Sequence, residues 1–290
     1  LMAWWKFDEG TGIAAKDSST NAYDGRIEGN DIKWLPASDC KVGGCLDFGT
    51  VAHGSVIRVP REAMNGLDDF TTEFWVKAKL MTNGGSVISG AYGTTGLQAN
   101  EFTWILNNGK ITPAIKGGGY ISSVVVGDNQ WHHTAMSREN GVIRLYVDGA
   151  LKDTNSSLSV GAIIIDAGGL VIGQEQDSVG GGFELIDSFK GSLDEFRIWN
   201  RALSGSEIAL LAGGGFSEAT GWNQDTNSFR CEAGADFDSH IYQYQYNNAN
   251  SYNLYASLEY VGPTGNTWRQ SGAPFPQPLT VYSCYNYKLP

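Results

Sequence analysis

A row of polar aromatic side chains near the end of the chain carries the most suggestive chemistry of the sequence. Its members, spaced two positions apart, are His240, Tyr242, Tyr244 and Tyr246. Residues with this spacing share one face of a strand, and Gln243 takes the opposite face. Phenol and imidazole rings can stack on sugars and hydrogen-bond to their hydroxyl groups. The row therefore favours a carbohydrate groove, although a Tyr-rich strand at a sheet edge produces the same spacing.

Such a groove also suits β-elimination on a uronic acid polymer, a reaction that needs three chemical roles. One group neutralises the uronate carboxylate, a base removes the C5 proton, and an acid protonates the leaving oxygen. Unperturbed Tyr and Lys titrate at about 10, so a neighbouring charge or burial has to lower the pKa of the base. We therefore take the four residues of the row, together with Lys116 and Arg197, as catalytic candidates.

Residues outside the row would complete this groove. Lys116 precedes three glycines at 117–119, which would let a polymer approach the backbone closely. Arg197 or Arg230 would hold the carboxylate. The candidates for substrate binding are Tyr120, His133, Arg230 and Gln243. The alternative interpretation of Lys116 is a solvated lysine at a strand end.

Many short strands must position these groups. The candidate strands are 56–59, 71–79, 86–89, 102–106, 111–115, 122–126, 132–138, 143–147, 169–172 and 192–199. Turn sequences such as Asn140-Gly141 and Asp148-Gly149 separate them. Over 72–78, Phe74, Val76 and Ala78 alternate with Glu73, Trp75 and Lys77, which predicts a strand with one buried face. The pattern indicates an antiparallel two-sheet sandwich.

One helix is expected, and it precedes a change in composition. Ser204 and Glu207 have the spacing of a capping box, and glycines at 213–215 end the helix. Beyond this point tyrosine and asparagine are abundant, with strand candidates at 241–246, 252–260 and 279–287. We predict a sandwich domain over 1–212, and a Tyr-rich segment over 213–290 whose strands extend the same sandwich, with a small independent domain as the alternative.

Composition limits the classes of partner. The 290 residues include 38 glycines and carry a net charge of −11. No basic cluster is present, which argues against a nucleic-acid partner, and no apolar run is long enough to cross a membrane. Histidines are not spaced to join the cysteines in a zinc site. Two disulfides, Cys40–Cys45 and Cys231–Cys284, are the simplest pairing, with four free thiols as the alternative. Disulfides would place the protein in an oxidising, extracellular setting.

Several segments, in the right order over about 1–212, resemble the laminin-G-like, concanavalin A-like jelly roll. The matching segments are WKFDEGTG at 5–12, KDSS at 16–19, YDG at 23–25, VGGCLDF at 42–48, FTTEFWVK at 70–77, WHHTA at 131–135, RLYVDG at 144–149 and GSLDEFRIWNRALS at 191–204. This resemblance implies an all-β jelly-roll sandwich. A fainter similarity links the candidate groove to jelly-roll polysaccharide lyases, including ulvan lyases.

The resemblance also implies a structural calcium ion, because similar domains often hold one between the N-terminal loop and the last core strand. The aspartates in those segments are Asp8, Asp17, Asp47 and Asp194, with turn-forming aspartates as the alternative. No organic cofactor is expected. The pair His132-His133 belongs to the common pattern of the fold, and neighbours on a strand face opposite ways, so at most one faces a groove.

Three functions compete. The leading hypothesis is a secreted polysaccharide lyase that acts on an acidic, uronate-containing glycan such as an ulvan-like algal polymer, because a bare binding module would need only residues 1–212. The second is a non-catalytic carbohydrate-binding or adhesion module of a secreted protein. The third is a glycoside hydrolase of the same fold, which is weakened because no E-x-D-x-x-E spacing occurs. All three predict a polysaccharide partner, without nucleic acid and without membrane insertion.

Overall fold

The computed structural model describes residues 1–79, 84–93, 99–119, 122–156, 158 and 160–213, and the backbone of four strands beyond them. The chain forms two compact units, Leu1–Gly215 and Phe216–Pro290. Each unit is described by itself below. No helix in the described part of the chain is long and apolar enough to span a bilayer.

Short strands dominate the first unit. In chain order they are β1 (Ala3–Trp5), β2 (Ala14–Ala15), β3 (Gly25–Glu28), β4 (Lys33–Leu35), β5 (Cys45–Asp47), β6 (Val56–Arg58), β7 (Phe70–Lys79), β8 (Gly85–Tyr92), β9 (Ala99–Asn107), β10 (Lys110–Ile115), β11 (Gly118–Gly119), β12 (Asp128–Glu139), β13 (Val142–Val147), β14 (Ala150–Asn155), β15 (Leu170–Ile172) and β16 (Gly191–Trp199). Single turns of 3-10 helix lie at Arg61–Ala63 and Leu185–Asp187.

These strands form two eight-stranded sheets. Sheet 1 has the order β14-β13-β12-β7-β16-β5-β4, with β1 also paired to β16. Sheet 2 has the order β11-β10-β9-β8-β15-β6-β3-β2. The pairings between the strands are antiparallel. The predicted all-β jelly-roll sandwich is confirmed.

The core lies between the two sheets and follows the period of two that the sequence shows. In the central strand β7, Phe70, Phe74 and Val76 belong to the core cluster. Phe74 stacks on Phe196 of β16, with ring centroids 4.8 Å apart, and meets Trp104 of β9 edge-on. The intervening side chains of β7 point to the other face of sheet 1. The alternating direction of the side chains therefore gives this sheet an outer face, on which Thr71, Glu73 and Trp75 are also buried.

Most predicted strands agree with the structure, but the strand expected at 122–126 is wrong. Its backbone makes hydrogen bonds with Gly109 and Ile111, but the one bridge among these residues joins Val125 to Lys110 and no strand forms. The hydroxyl of Ser122 accepts a hydrogen bond from Val124 N, at 3.2 Å, and donates one to Ile111 O, at 2.6 Å. This local hydrogen bond competes with a regular ladder, as serine side chains often do.

The helix and one disulfide were predicted correctly. Helix α1 (Gly205–Ala212) begins after Ser204, whose side chain accepts from Glu207 N while the Glu207 carboxylate accepts from Ser204 N. Cys40 and Cys45 are joined by a disulfide and close a short loop before β5. The predicted pair Cys231–Cys284 lies outside the described residues.

The second unit is described by the backbone of β17 (Ser228–Arg230), β18 (Ile241–Asn248), β19 (Ser251–Val261) and β20 (Thr267–Ser271). They form an antiparallel four-stranded sheet in this order. The strands expected at 241–246 and 252–260 are therefore present, whereas 279–287 lies outside the described residues. The expected extension of the sandwich by these strands stays a prediction.

Candidate functional site

A cluster of carboxylates lies on the loop that follows β15 and covers the outer face of sheet 2. After Ile172 the sequence Gln174-Glu175-Gln176-Asp177 alternates between buried glutamines and more exposed carboxylates. Glu184 directly precedes the 3-10 turn at Leu185–Asp187, and Asp187 is its last residue. This set of Glu175, Asp177, Glu184 and Asp187 is called the acidic cluster below.

The members of the acidic cluster repel one another. Burial raises the pKa of Glu175 above its ordinary value, and the charges of Asp177 and Asp187 raise it further. Burial likewise raises the pKa of Asp187, with the charges of Glu184 and Asp177 acting in the same direction and Lys190 opposing them. Like charges gathered in a partly buried place are costly unless a cation joins them.

An amide oxygen beside the acidic cluster strengthens this interpretation. The side chain of Asn100, near the start of β9, hydrogen-bonds to Glu175. Its Oδ1 atom is buried and has no hydrogen-bond partner. Carboxylate and amide oxygens are the ligands that Ca²⁺ prefers. A hard divalent cation would both neutralise the carboxylates and satisfy the Asn100 oxygen, so these residues fit calcium by their chemistry.

The side chains of the acidic cluster do not enclose an ion by themselves. Within the described part of the chain, no group of three or more His, Cys, Asp or Glu side chains is arranged so that it could hold a metal ion by itself. Calcium takes six to eight oxygen ligands, and backbone carbonyls, amides and water contribute to that number. An ion held here would therefore keep open positions for oxygens of a bound molecule.

Two of the predicted site residues, Arg197 and His133, lie in a different environment, on the outer face of sheet 1. Glu73 is fully buried in β7 and accepts hydrogen bonds from Arg197 Nη1, at 3.1 Å, and from His133 Nε2, at 2.9 Å. Arg197 also pairs with Glu195, which accepts a hydrogen bond from Trp4 Nε1 at 2.8 Å. Because Arg197 is 4% exposed and His133 0%, both donate into the protein rather than toward a groove.

Indole rings on this face are covered by cations. Lys6 and Arg197 lie over Trp4, at 4.3 and 4.5 Å from the ring centroid, and Lys41 lies 4.1 Å from the centroid of Trp75. These contacts stabilise the rings, since a cation over an indole face is attracted to its quadrupole. They also occupy the faces on which a sugar would stack, so neither Trp4 nor Trp75 forms an open aromatic platform.

The four aspartates proposed as calcium ligands divide into two pairs. Asp17 is engaged in the turn, because its oxygens accept from Trp4 N, Ser19 N, Ser19 Oγ and Tyr23 N. Asp47 accepts from Ser192 Oγ at 3.3 Å. These contacts match the alternative interpretation, in which aspartates organise turns and strand pairs.

Asp8 and Asp194, in contrast, both hold the disulfide-closed loop at Cys40–Cys45. Asp194 Oδ2 accepts from Lys41 N and Val42 N at 2.9 and 2.8 Å, and Asp8 Oδ1 accepts from Gly44 N at 2.6 Å. Asp194 is fully buried, and its Oδ1 has no partner. Burial raises the pKa of Asp194 to about 7, although the hydrogen bond from Val42 N acts to lower it. The free oxygen of Asp194 suits a cation at this position.

A shallow cleft of about 380 Å³ lies at the end of β12. It is lined by Ser123, Val124, Val125, His132, Val147, Asp148 and Lys152. The ring of His132 bonds to Asp148 through Nδ1, at 2.8 Å, and to Asp128 through Nε2, at 3.1 Å. Burial alone would lower the pKa of His132, but the two carboxylates outweigh burial and raise it. Both ring nitrogens of His132 are therefore engaged, and its side chain connects Asp148, which lines the cleft, to Asp128.

The remaining predicted residues are not brought together by the described structure. Lys116 is half-buried in the turn after β10, at a positive φ of 51°, and a Cβ on Gly161 would lie 3.3 Å from its Nζ. Tyr120 and His240 lie outside the described residues. The structure describes only the backbone of Arg230, Tyr242, Gln243, Tyr244 and Tyr246, with Arg230 opposite Ile241 and Tyr242 opposite Phe229. The predicted groove stays a prediction.

Sequence reasoning missed the acidic cluster. A signal was present, because Glu175 and Asp177 are two residues apart directly after the predicted strand at 169–172. Glu184 and Asp187 follow the glycines at 180–182, which turn the chain back. The amide of Asn100 is 75 residues away in sequence and only the sheet brings it near, so no local pattern could have included it.

Comparison with known proteins supports the fold. A family model described as the concanavalin A-like lectin/glucanases superfamily (laminin G type 3) matches residues 51–209. A sushi, von Willebrand factor type A, EGF and pentraxin domain-containing protein 1 from Rattus norvegicus is 37% identical over 149 residues, which are 50% of this chain and 4% of that protein. Human neuronal pentraxin-1 is 34% identical over 146 residues, 49% of this chain and 33% of that protein.

Among solved structures, domain 4 of AbnA is similar. AbnA is a GH43 extracellular arabinanase from Geobacillus stearothermophilus, and its domain 4 was solved in complex with arabinotriose. The match has a TM-score of 0.54 and 23% identity, and covers 73% of this chain and 98% of that one. At this identity the likeness concerns the fold alone. The chain spans at most a third of the length of the two curated relatives named above.

Proposed function

Because the chain belongs to the concanavalin A-like lectin/glucanases superfamily, we propose that it is a lectin-like module that binds a carbohydrate through a divalent cation on its acidic cluster. The observation that carries this proposal is the meeting of Glu175 and Asp187 with a buried, unpartnered oxygen of Asn100. Carboxylates that repel one another beside an unpartnered oxygen fit a site that is completed by an ion.

The chemistry of the ion then explains how a sugar is held. Protein oxygens fill part of the calcium coordination sphere, and two hydroxyl groups or a carboxylate of a glycan can replace the remaining water. Stacking is less important in this arrangement, since cations cover Trp4 and Trp75. Domain 4 of AbnA, which shares the fold, was solved with arabinotriose, and this supports a saccharide as the ligand class.

A glycan array, read in calcium and again after chelation, tests the proposal. Wild-type protein should bind one or more saccharides only in calcium. Glu175→Gln and Asp187→Asn should lose that binding, because each removes one anionic ligand. Glu139→Gln is the matched control, since Glu139 pairs with Arg144 on the surface of the β12–β13 hairpin. Binding that is unchanged by chelation and by both cluster variants would overturn the cation-dependent mechanism.

The predicted structural calcium is retained as a second proposal for Asp8 and Asp194 only. It rests on the buried free oxygen of Asp194 and on the loop that both carboxylates hold. Calcium should raise the melting temperature through this site independently of glycan binding. Asp194→Asn should remove that increment and leave the array result unchanged, which separates the two sites.

Lyase activity remains the weaker proposal. Its acid and base would have to come from Lys116 and from the tyrosines of β18, because Arg197 and His133 are buried against Glu73. Ultraviolet absorbance of an unsaturated uronate product on a panel of acidic polysaccharides would support it. New reducing ends without that absorbance would instead support a glycoside hydrolase, in which paired carboxylates supply the acid and base.

The setting proposed for this function is extracellular. The Cys40–Cys45 disulfide forms and persists in oxidising compartments. AbnA, which shares the fold, is described as extracellular. Expression with a secretion leader should yield protein without free thiol at Cys40 and Cys45, as measured by thiol alkylation and mass spectrometry, and a reduced pair in correctly folded secreted protein would contradict this setting.

A further inference from the structure

Two glutamines alternate with the carboxylates that open the acidic cluster. Gln174 and Gln176 are fully buried, whereas Glu175 is partly exposed and Asp177 exposed. A buried amide is costly unless its donors and acceptors are paired. The partners of these two amides therefore indicate what the glutamines hold in place.

The amide of Gln174 connects the two ends of the loop. Its Nε2 donates to His53 O at 2.8 Å and to Glu184 O at 3.2 Å, and its Oε1 accepts from Glu175 N at 3.2 Å. Both N–H groups of the amide are thus used. The Gln174 side chain therefore fixes the backbone of both Glu175 and Glu184, which are nine positions apart in the sequence.

The amide of Gln176 anchors the same loop to sheet 2. Its Nε2 donates to Ser89 O at 3.1 Å and to Gly169 O at 2.9 Å, and its Oε1 accepts from Gly180 N at 2.7 Å. The last bond closes the turn that follows Asp177. The hydroxyl of Ser89 joins the two glutamines, because it donates to Gln174 O at 2.8 Å and lies 2.9 Å from Gln176 Nε2.

A second anchor holds the far end of the loop. His53 is buried, its backbone N–H donates to Ser188 Oγ at 3.2 Å, and its Nε2 lies 2.9 Å from Phe189 O. Ser188 follows Asp187 directly. The loop is therefore attached next to each of its four carboxylates, and these attachments oppose the repulsion that would spread the carboxylates apart.

We propose that Gln174 and Gln176 are positioning residues, which hold the acidic cluster ready for a divalent cation without touching the ion through their side-chain amides. This inference rests on the proposed function, since it assigns a purpose to the loop only if the cluster binds an ion. Groups that orient metal ligands typically change metal affinity by about 10–100-fold when they are removed. The alternative is that the amides only stabilise the fold.

Terbium, a luminescent substitute for calcium, separates these alternatives. We expect Gln174→Met and Gln176→Met to weaken Tb³⁺ binding by on the order of tenfold or more. Luminescence decay in H₂O and D₂O counts the water molecules on the ion, and the count should rise by about one in each variant, because a displaced carboxylate is replaced by water. A role in stability alone changes neither quantity while the protein is folded.

Leu145→Ala is the matched control, because Leu145 is buried in β13 of sheet 1 and its loss lowers stability without contact to the loop. At a temperature where all variants are folded, it should bind Tb³⁺ like wild type. Glutamine variants that also bind like wild type would overturn the inference. Wild-type protein that binds no Tb³⁺ would overturn the proposed function itself, which is a different result.

Ser89→Ala keeps the test decisive if the glutamine variants do not fold. It removes the hydroxyl that touches both glutamines and leaves their amides in place. We expect it to fold and to weaken Tb³⁺ binding several-fold, less than either glutamine variant. Unchanged affinity and unchanged hydration in a folded Ser89→Ala protein would contradict the proposed anchoring.

Discussion

The two sheets of the sandwich differ in how the charges of their buried carboxylates are balanced. On sheet 1, Glu73 is fully buried, yet its pKa is lowered, because Arg197 and a hydrogen bond from His133 outweigh the effect of burial. On sheet 2, the pKa of Glu175 is raised by burial and by the carboxylates of Asp177 and Asp187. The first carboxylate has its cation within the chain, and the second is surrounded by further anions.

The contrast teaches how to separate structural charge from functional charge. A buried ion pair that is closed by the protein's own side chains needs nothing from outside, and Arg197 lies between Glu73 and Glu195 in this way. The acidic cluster is less balanced, because Lys190 offsets only part of the charge around Asp187 and its Nζ donates to the carbonyls of Ile186 and Ser188. Unbalanced charge next to an unpartnered oxygen is therefore the better indicator of a binding site.

The largest effect is expected from removing the cation of sheet 1. Arg197→Met leaves Glu73 buried without its main counter-charge and should lower the free energy of unfolding by about 3–5 kcal/mol. Urea denaturation followed by tryptophan fluorescence measures it. Arg201→Met is the control, because that side chain is 41% exposed and pairs with Glu207 near the surface; its loss should stay below about 1 kcal/mol. If both variants lost the same free energy of unfolding, the distinction between the buried and the surface ion pair would be wrong.

Calcium at the acidic cluster should produce the next largest effect. At 100 times its Kd, calcium should stabilise wild-type protein by about 2.7 kcal/mol more than it stabilises Glu175→Gln. In chelator, Glu175→Gln should be as stable as wild type or more so, because it removes one of several repelling charges. Thermal unfolding with and without calcium measures both. A Glu175→Gln protein destabilised in chelator would show that this carboxylate is satisfied without an ion.

The sequence was sufficient for the sandwich because its strands follow a local period. Phe74, Val76 and Ala78 recur at every second position, and the structure buries them in the core. The capping box at Ser204 and the short disulfide loop are equally local, since their partners lie within a few residues. Irregular backbone was harder to predict, as Ser122 shows, because its hydroxyl bonds to Ile111 O and Val124 N in a segment that forms only one bridge.

The candidate site depended on contacts that no spacing encodes. Arg197 and His133 look available in the sequence, but the register of β7 places both beside Glu73. Asn100 and Glu175 belong to different strands and loops, and they become neighbours only through β8, which lies between β9 and β15. Side-chain identity therefore indicated the possible chemistry, and sheet order decided which groups meet.

The disulfide gives a smaller effect next to the network of sheet 1. Cys40→Ala combined with Cys45→Ala should lower the free energy of unfolding by about 2 kcal/mol, the value for a short closed loop. The amides of Lys41, Val42 and Gly44 would then be held only by Asp194 and Asp8. Reduced wild-type protein should match the variant in chemical denaturation. A variant as stable as the oxidised protein would mean that the two carboxylates alone fix the loop.

The smallest effect comes from His132, whose cation lies between two carboxylates near the surface. Its pKa is raised in the folded protein, so its contribution to stability is complete below the unfolded value of about 6.5 and is lost as the pH rises through the higher folded value. In mild acid the free energy of unfolding of wild type should exceed that of His132→Gln by about 1 kcal/mol, and this difference should disappear as the pH rises. Asp148→Asn keeps the imidazole and should remove most of the dependence, because Asp148 supplies the shorter bond. If the difference in the free energy of unfolding instead grows as the pH rises, the fold prefers neutral His132. The parallel with the Arg197–Glu73 pair on sheet 1 would then fail.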